Sequence, residues 1–358
     1  MTRTLIRPTG FVDSPFGHDG KVARLAGGLN WFGLAELIRV EGHRRVGSEL
    51  VPVDGIEDRF DDAMATDWAR ITGQRATLQM GERTIRLDQP QVMGIVNATP
   101  DSFSDGGAYA DAAGAAGAGA GMAAAGAAII DVGGESTRPG ATTVWENDEI
   151  ERVVPIIRQL ASGGYAVSID TRKSAVMSAA LGAGARLVND VSALTWDQQS
   201  GAVVAAAGAP VVLMHHQGDP TTMQDAPRYD DVLIEAFLWL EERIGAAEAA
   251  GIKRERILVD PGIGFGKSVA HNLELMNGLS LLHGLGCAIL IGASRKRMIG
   301  ALANEAPAEK RLPGSLALAL KAVEQGAHVV RVHDVPETVQ ALKIWRGLRD
   351  AALTPRSI

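Results

Sequence analysis

Short apolar runs alternate with helix-length segments from about residue 92 onward. Each run is too short for a helix, most are rich in β-branched residues, and continuous hydrophobicity is typical of strands buried on both faces. Eight such runs separated by helix-length segments predict an α/β fold, a (β/α)8 TIM barrel, over residues 76–358. The runs are Val92–Val96, Ala128–Val132, Ala166–Ile169, Leu187–Asn189, Pro210–Met214, Ile257–Val259, Ala288–Ile291 and Val329–Val332.

Nearly all of these runs end in polar or charged residues. In a (β/α)8 barrel the carboxyl ends of the strands converge on one face, where the active site lies. Strand ends could simply be the points at which polar sequence begins, but so many ends with Asp, Asn, His or Arg favour a shared pocket. The residues at these ends are Asn97, Asp131, Asp170, Asn189-Asp190, His215, Asp260, Ser294 and Arg331-His333.

Residues 1–75 do not follow this alternation and are predicted to be an N-terminal extension of unknown role. Within them, Trp31–Ile38 and Phe60–Ile71 are predicted to be short amphipathic helices. Their apolar stripes are interpreted as packing surface, and a face for partner binding is the alternative.

Two further segments have distinctive local patterns. Residues 76–91 are predicted to form a hairpin, with strands Thr77–Met80 and Thr84–Leu87, that could plug the amino-terminal end of the barrel. The first barrel helix, Ala110–Gly126, contains several glycines, each of which costs roughly 0.5–1 kcal/mol relative to alanine. We therefore expect it to be the least stable helix of the barrel.

Composition and charge narrow the classes of function. The chain has 358 residues, a net charge of −7 and a pI of about 5.7, which argues against a general nucleic-acid binder. Its single cysteine, Cys287, excludes an internal disulfide and favours a reducing, cytoplasmic location; it is interpreted as a small core residue. The sequence has no signal-peptide pattern and no uncharged apolar stretch of about 18 residues, so no membrane association is expected.

The polar residues after the first two strands could bind an anion or a metal ion. Asn97 ends the first strand, where its amide could ligate a hard cation or hold a phosphate oxygen, and Phe103 in the following loop could cover a bound ring. After the second strand, Thr137 and Arg138 could face an anion or a covering loop. The alternative for the 97–107 loop is a turn rich in Asx and Ser residues.

Three carboxylate or amide groups follow later strands, namely Asp170, Asn189 and Asp260. Such groups at an apolar barrel mouth suit a heterocycle with adjacent N–H donors, because the two oxygens of one carboxylate match two parallel donors. Each residue could instead cap the start of a helix.

Cationic residues follow the last two strands. Lys296 lies in the segment after the seventh run, and Arg331 and His333 alternate at the end of the eighth, so both can face the same side. Because the loops after strands seven and eight commonly bind phosphate in this fold, these residues are predicted to hold a pyrophosphate and help it leave. His215 and His216 could form a metal pair, but adjacent strand residues point to opposite faces, which disfavours it.

Taken together, these segments resemble the dihydropteroate synthase family, in the family's order and from about residue 76 to the C-terminus. The resemblance implies a (β/α)8 barrel, usually a homodimer, that joins p-aminobenzoate to 6-hydroxymethyl-7,8-dihydropterin pyrophosphate in folate synthesis. It further implies pyrophosphate release, a requirement for Mg²⁺ and a target of sulfonamides. The matching segments are Met93–Gly107, Ile130–Ala141, Ser168–Arg172, Val188–Ser192, Leu213–Gln217 with Thr222-Met223-Gln224, Asp260–Lys267, Gly292–Lys296 and Arg331–Asp334.

The resemblance also implies roles for individual residues. Asn97 matches the magnesium-linked asparagine, and Lys296, Arg331 and His333 match the catalytic positions. The pterin-binding set corresponds to Asp170, Asn189, Asp260 and Lys296. The positions associated with the pterin substrate and its diphosphate are Thr137, Arg331, Val332 and His333. Two loops that close over the site in the family contain Asp101, Phe103, Asp105, Arg138 and Pro139. The positions near p-aminobenzoate are Ser294 and Phe265.

Two features depart from the family pattern, and two other functions compete with this interpretation. Residues 1–75 have no counterpart in the pattern, and His216 stands where the family often has methionine. A related methyltetrahydrofolate-binding methyltransferase domain would share the strand-end carboxylates but would not need Arg331, His333 or the 97–107 loop. A non-catalytic pterin-binding or scaffolding homologue is disfavoured because every motif position is filled.

Overall fold

An antiparallel sheet of four strands begins the chain. The computed structural model describes residues 2–98, 108–135, 143–218 and 227–354. The strands are β1 (Thr2–Val12), β2 (Ala23–Arg24), β3 (Trp31–Glu41) and β4 (Arg44–Pro52). The long β3 pairs with each of the other three strands and so forms the centre of the sheet.

The prediction of a helix over Trp31–Ile38 is wrong, because these residues lie in β3. Pairing on both sides of β3 places it inside the sheet, and side chains on both of its faces are fully buried, among them Phe32, Ala35 and Ile38. A nearly continuous apolar run fits a strand that is buried on both faces as well as it fits a buried helix. Tertiary pairing therefore decided the structure of this segment.

The second predicted helix of the extension is confirmed as α1 (Asp62–Thr72). Its apolar stripe packs against the sheet in a separate small core. Within that core the rings of Phe32 and Trp68 meet edge to face at a centroid distance of 5.7 Å. The stripe therefore serves packing, as predicted.

The predicted hairpin is also confirmed, as β5 (Leu78–Met80) paired with β6 (Arg83–Ile85). Its buried side chains form a cluster with residues of the barrel that follows, including Met93 and Leu258. The hairpin therefore closes one end of the barrel interior, which is the plug that the sequence predicted.

Eight parallel strands then close into a barrel, which confirms the predicted (β/α)8 architecture. The strands are β7 (Gln91–Asn97), β8 (Ile129–Gly133), β9 (Val167–Asp170), β10 (Leu187–Asp190), β11 (Val211–Met214), β12 (Ile257–Asp260), β13 (Ala288–Ile291) and β14 (Val329–Val332). Each strand pairs with the next along the chain, and β14 returns to pair with β7. All eight predicted runs therefore form strands, with ends that differ by one residue or less.

Helices cover the outside of the barrel and pack on the outward-facing strand residues in one large apolar cluster. The helices are α2 (Ala108–Ala125), α3 (Glu146–Ser162), α4 (Ser174–Ala183), α5 (Ser200–Ala207), α6 (Val232–Ala249), α7 (Val269–Gly278), α8 (Arg297–Leu302), α9 (Leu312–Glu324) and α10 (Val335–Leu353). A 3-10 helix, Leu279–Leu285, follows α7. In α2, a Cβ on Gly119 would lie 3.1 Å from side-chain atoms of Ile130 and Leu160, so this glycine permits close packing on the barrel.

Arg75 joins the extension to the barrel. Its guanidinium is buried and donates hydrogen bonds to four backbone carbonyls, those of Arg70 and Gly73 at the end of α1 and those of His283 and Cys287 next to β13. Burial lowers the pKa of Arg75 to about 10. Carbonyls at helix ends carry partial negative charge, which allows them to stabilise a buried cation without a carboxylate.

Ion pairs reinforce this contact at its periphery. Each joins a charged side chain of the extension to an oppositely charged one of the barrel or the loop before α6. The pairs are Arg3–Glu241, Arg44–Asp230, Arg45–Asp231 and Arg349–Asp13. The extension therefore lies against α6, the 3-10 helix and α10 rather than over the carboxyl ends of the strands.

Within the described ranges, no helix has the length and apolarity required to cross a membrane. Cys287 is buried, and burial raises the pKa of its thiol to about 12. It is therefore a core residue, as predicted.

Candidate active site

The strand register places several predicted residues in one row at the carboxyl end of the barrel. Asn97 on β7 pairs with Gly133 on β8, Gly133 with Asp170 on β9, and Asp170 with Asn189 on β10. A Cβ on Gly133 would lie 3.4 Å from the Cβ of Asp170, so the glycine leaves room for its neighbour. Asn97 is exposed, whereas Asp170 and Asn189 are buried.

Arg331 reaches into this row from β14 and is held by two carboxylates. Its Nε donates to Asp131 Oδ2 at 2.6 Å, and its Nη2 donates to Asp170 Oδ2 at 2.7 Å. Asn189 Nδ2 also donates to Asp131 Oδ2, at 3.0 Å. Asp131 is fully buried, and its second oxygen has no hydrogen-bond partner among the described residues. Charge-assisted bonds of this kind fix the position of the guanidinium.

The sequence pattern places Asp131 near a strand end but does not predict it as a site residue. The signal was its position in the middle of an apolar strand, where an unpaired carboxylate would be costly. Its partner Arg331 is 200 residues away along the chain, so only the barrel topology reveals the pair.

Two buried carboxylates of the site have pKa values close to neutral pH. Burial raises the pKa of Asp170 to about 7, since the negative charge of Asp131 adds to desolvation and Arg331 only partly offsets them. Burial also raises the pKa of Asp260 to about 6. The Gly262 N–H, which donates to its Oδ1 at 2.7 Å, and the charge of Lys296 lower that pKa and so offset part of the effect. Both groups can therefore gain or lose a proton when a ligand with N–H donors arrives.

The loop after Asp260 depends on glycine. Gly262, Gly264 and Gly266 all have positive φ angles, of 67°, 85° and 63°. A Cβ on Gly262 would lie only 1.9 Å from the carbonyl oxygen of His215, so no other residue fits there. The loop therefore packs directly on the end of β11.

This close packing positions two lysines. Lys296 Nζ lies 4.0 Å from the centre of the Phe265 ring, a cation–π contact, and burial lowers the pKa of Lys296 to about 8. Lys267 donates to the carbonyl oxygens of Phe265 at 2.9 Å and His215 at 3.3 Å. Burial lowers the pKa of Lys267 to about 7. Lys267 ends the matching segment Asp260–Lys267, but no local pattern distinguishes it as a site residue.

His333 and Ser294 form a hydrogen-bonded pair beside Arg331. The Ser294 Oγ accepts the backbone N–H of His333 at 3.2 Å and lies 3.1 Å from its Nδ1. Burial lowers the pKa of His333 to about 4, so its ring is neutral near pH 7. If the Ser294 hydroxyl donates to Nδ1, the neutral ring carries its proton on Nε2 and is a hydrogen-bond donor there rather than a cation.

A charged network that the sequence did not predict lies at the rim. Arg172 Nε donates to Glu135 Oε2 at 3.1 Å, and its guanidinium stacks 3.7 Å from the Trp196 ring centre. Lys173 pairs with Glu135 at 3.2 Å and also bonds to the buried Glu149. These contacts hold the loops that follow β9 and β10 next to Asp170 and Asn189.

Other predicted residues are placed differently. Val332 is 4% exposed and belongs to the apolar cluster between the barrel and its helices, so its side chain points away from Arg331. Outside the described residues lie Asp101, Phe103, Asp105, Thr137, Arg138 and Pro139.

His215 and His216 both contact Trp239, at ring-centroid distances of 5.1 and 5.7 Å. Because β11 ends at Met214, the alternation of strand faces no longer applies to them. Burial lowers the pKa of both rings. Among the residues the structure describes, no group of three or more His, Cys, Asp or Glu side chains could hold a metal ion.

A sequence model of the pterin binding enzymes matches residues 93–333. The dihydropteroate synthase of Escherichia coli (strain K12) is 48% identical over 264 residues, which cover 73% of this chain and 92% of that protein. The chain belongs to the dihydropteroate synthase family. A second member of this family, from Neisseria meningitidis serogroup B, is 46% identical over 279 residues and is covered to 98%.

Solved structures of dihydropteroate synthases have the same fold. The Xanthomonas albilineans enzyme with 4-aminobenzoic acid is 47% identical, with a TM-score of 0.73, and the match covers 77% of this chain and 99% of that one. The Yersinia pestis enzyme with a sulfonamide drug complex is 45% identical, with a TM-score of 0.73 and coverage of 77% and 100%. About three quarters of this chain thus spans nearly the whole of these dihydropteroate synthases, and a segment about the size of the extension has no counterpart in them.

Proposed function

We propose that this protein is a transferase that joins 6-hydroxymethyl-7,8-dihydropterin pyrophosphate to p-aminobenzoate, giving 7,8-dihydropteroate and pyrophosphate in folate biosynthesis. The observation that carries the proposal is the cluster in which Asp131 and Asp170 hold Arg331 at the barrel mouth. Support also comes from relatives crystallised with 4-aminobenzoic acid and with 7,8-dihydropteroate.

The pterin binds to the buried acceptors. A pterin edge presents adjacent N–H donors, and the carboxylate oxygens of Asp170 and Asp260 and the amide of Asn189 can accept them. Burial raises the pKa of both carboxylates because it destabilises their ionised forms. Hydrogen bonds from N–H donors therefore stabilise the ionised forms more than the neutral forms. The same carboxylates stabilise positive charge that develops on the pterin when its diphosphate departs.

The diphosphate faces the cations. Arg331 and Lys296 stabilise the negative charge that develops as the C–O bond breaks, and the neutral His333 donates its Nε2 proton as a hydrogen bond. The aniline nitrogen of p-aminobenzoate then forms the new C–N bond near Ser294 and Phe265 and loses a proton. Since the leaving group departs as a stabilised anion, no strong general base is required.

We further propose that Asn97 ligates the Mg²⁺ that the family resemblance implies. Its side chain is exposed at the end of β7, in register with Gly133 and two strands from Asp170. Mg²⁺ prefers oxygen ligands and usually keeps several waters while binding one or two protein groups and substrate phosphates, so a single amide oxygen suits it. When bound, Mg²⁺ would neutralise charge on the diphosphate.

A cytoplasmic homodimer completes the proposal. Ile344 and Leu348 lie one turn apart on α10 and are 65% and 68% exposed, which offers apolar surface to a second copy. Sedimentation of the wild type as a dimer, and of Leu348→Glu as a monomer, would support it. A monomeric wild type would contradict it.

The test of function is an assay with the pterin pyrophosphate, p-aminobenzoate and Mg²⁺, in which dihydropteroate is quantified. Lys296→Ala and Arg331→Ala should each lower turnover at least about tenfold, because each removes a charge that stabilises the transition state. The exposed neighbour Arg297→Ala is the matched control and should retain its rate. Near-normal rates in either test variant would refute these roles, and pterin binding without product would favour a scaffold.

A further inference from the structure

A cavity of about 340 Å³ lies between the extension and the barrel. It is lined by β1 on one side and by residues near the ends of α7, α9 and α10 on the other, and it opens to solvent. Binding sites for small molecules begin at about this volume and occur preferentially between domains. The cavity lies far from the active site, since Arg349 on its wall is 14 residues beyond Val335, about 20 Å along α10.

The walls carry cationic donors from three elements. Arg349 of α10 is 7% exposed and uses only Nη1, which donates to Val12 O and to Asp13 Oδ1, both at 3.1 Å. Its Nε and Nη2 have no hydrogen-bond partner within the described ranges. Lys321 of α9 is exposed and has no ion-pair partner in the part of the chain that the structure describes. Arg7 of β1 is the third cation and pairs with Glu36 at 2.6 Å.

Two carboxylates also line the cavity, and neither is paired with Lys321 within the described ranges. Asp13 has a side chain that is 91% exposed, and it contacts one nitrogen of Arg349. Glu324 is exposed at the end of α9. Glu36 pairs with Arg7 and Asp13 with Arg349, so the donors left for a ligand are Lys321 and the unused nitrogens of Arg349. Charged donors with unused hydrogens attract an anionic group, and the ring of Phe11 adds an apolar wall.

We propose that this cavity binds a small anion bearing a phosphate or carboxylate group, held by Lys321 and by the unused nitrogens of Arg349. β1 supplies one wall, so the site exists only because the extension is present. The dihydropteroate synthases compared above lack a segment of that size, so the site would be absent from them.

Calorimetric titration with inorganic phosphate, and separately with citrate, tests the proposal and separates the two sources of negative charge. The titration uses Arg331→Ala, because that variant weakens anion binding at the active site. One anion should bind per chain. Adding Lys321→Ala should weaken it about fivefold or more, the loss of one charge-assisted hydrogen bond, whereas adding the exposed Lys343→Ala should not.

Absence of binding of both anions to Arg331→Ala would overturn the proposal. So would affinities that Lys321→Ala leaves unchanged. The single variant Lys321→Ala should keep wild-type synthase activity, which separates failure of this proposal from failure of the proposed function.

Discussion

Replacing Asp131 with asparagine tests how the barrel mouth sets the ionisation of the carboxylate that receives the pterin. The amide keeps the shape of the side chain and an oxygen that can accept from Arg331 and Asn189. It removes one of the two negative charges that share the Arg331 guanidinium. Among the residues that the structure describes, Asp170 is then the one carboxylate hydrogen-bonded to that guanidinium, so its ionised form becomes easier to maintain.

The expected magnitude follows from the charges. Two like charges about 4 Å apart repel by about 4 kcal/mol at an effective dielectric constant of about 20. Since about 1.4 kcal/mol corresponds to one pKa unit, this sets an upper limit of about 3 units. Arg331 already screens part of the repulsion, so we expect the pKa of Asp170, about 7 in the wild type, to fall by at least about 1 unit. The lost buried charge should also lower stability by about 1–3 kcal/mol.

The assay is the pH dependence of kcat/KM for the pterin pyrophosphate, which reports ionisations of the free enzyme. If ionised Asp170 binds the pterin, the rate rises with pH through its pKa, and Asp131→Asn shifts that limb to lower pH. The substrate's own ionisation is identical for both enzymes and cancels from the comparison. Asp197→Asn, whose carboxylate accepts the backbone N–H groups of Ser174 and Gln199, is the control. If kcat/KM of Asp131→Asn rises over the same pH range as that of the wild type, the reasoning is refuted.

Three further predictions concern stability. Gly119→Ala should lower the free energy of unfolding in urea by about 1–3 kcal/mol because its Cβ would crowd the barrel. Gly117→Ala has open space around it and should raise that free energy by about 0.5–1 kcal/mol. Equal effects of the two substitutions would contradict this account of α2. Arg75→Met should lower the free energy of unfolding by about 3 kcal/mol and speed proteolysis of the extension, because four carbonyls lose their donor. Unchanged proteolysis would contradict the role of Arg75 in joining the extension to the barrel. Amides of α2 should exchange with deuterium faster than those of the other barrel helices, and finding them among the slowest would refute its low stability.

The barrel could be predicted because its strands are buried on both faces and so differ from the helices between them in composition as well as period. The extension could not. In β3, Leu, Ala and Glu are good helix formers, and its apolar spacing fits a helix as well as a strand. Pairing with β1 on one side and β4 on the other makes the segment a strand. Contacts between distant segments therefore limited the prediction.

The same limit applies to the site. Asp170, Asn189 and Asp260 could be predicted because the end of a barrel strand identifies the face on which a residue lies. The partner of Arg331 could not, because the sequence holds no local trace of a contact between Asp131 and a residue on the last strand. The neutral state of His333 also depends on burial and on Ser294, which the fold brings beside it.

The central claim is that this cluster joins the pterin to p-aminobenzoate with departure of pyrophosphate. A single-turnover experiment measures it most directly, with enzyme in excess over the pterin pyrophosphate and with Mg²⁺ and p-aminobenzoate present. The account predicts equal amounts of pyrophosphate and 7,8-dihydropteroate, formed at least about tenfold more slowly by Arg331→Ala. Formation of neither product by the wild type, or equal rates in both proteins, would contradict it.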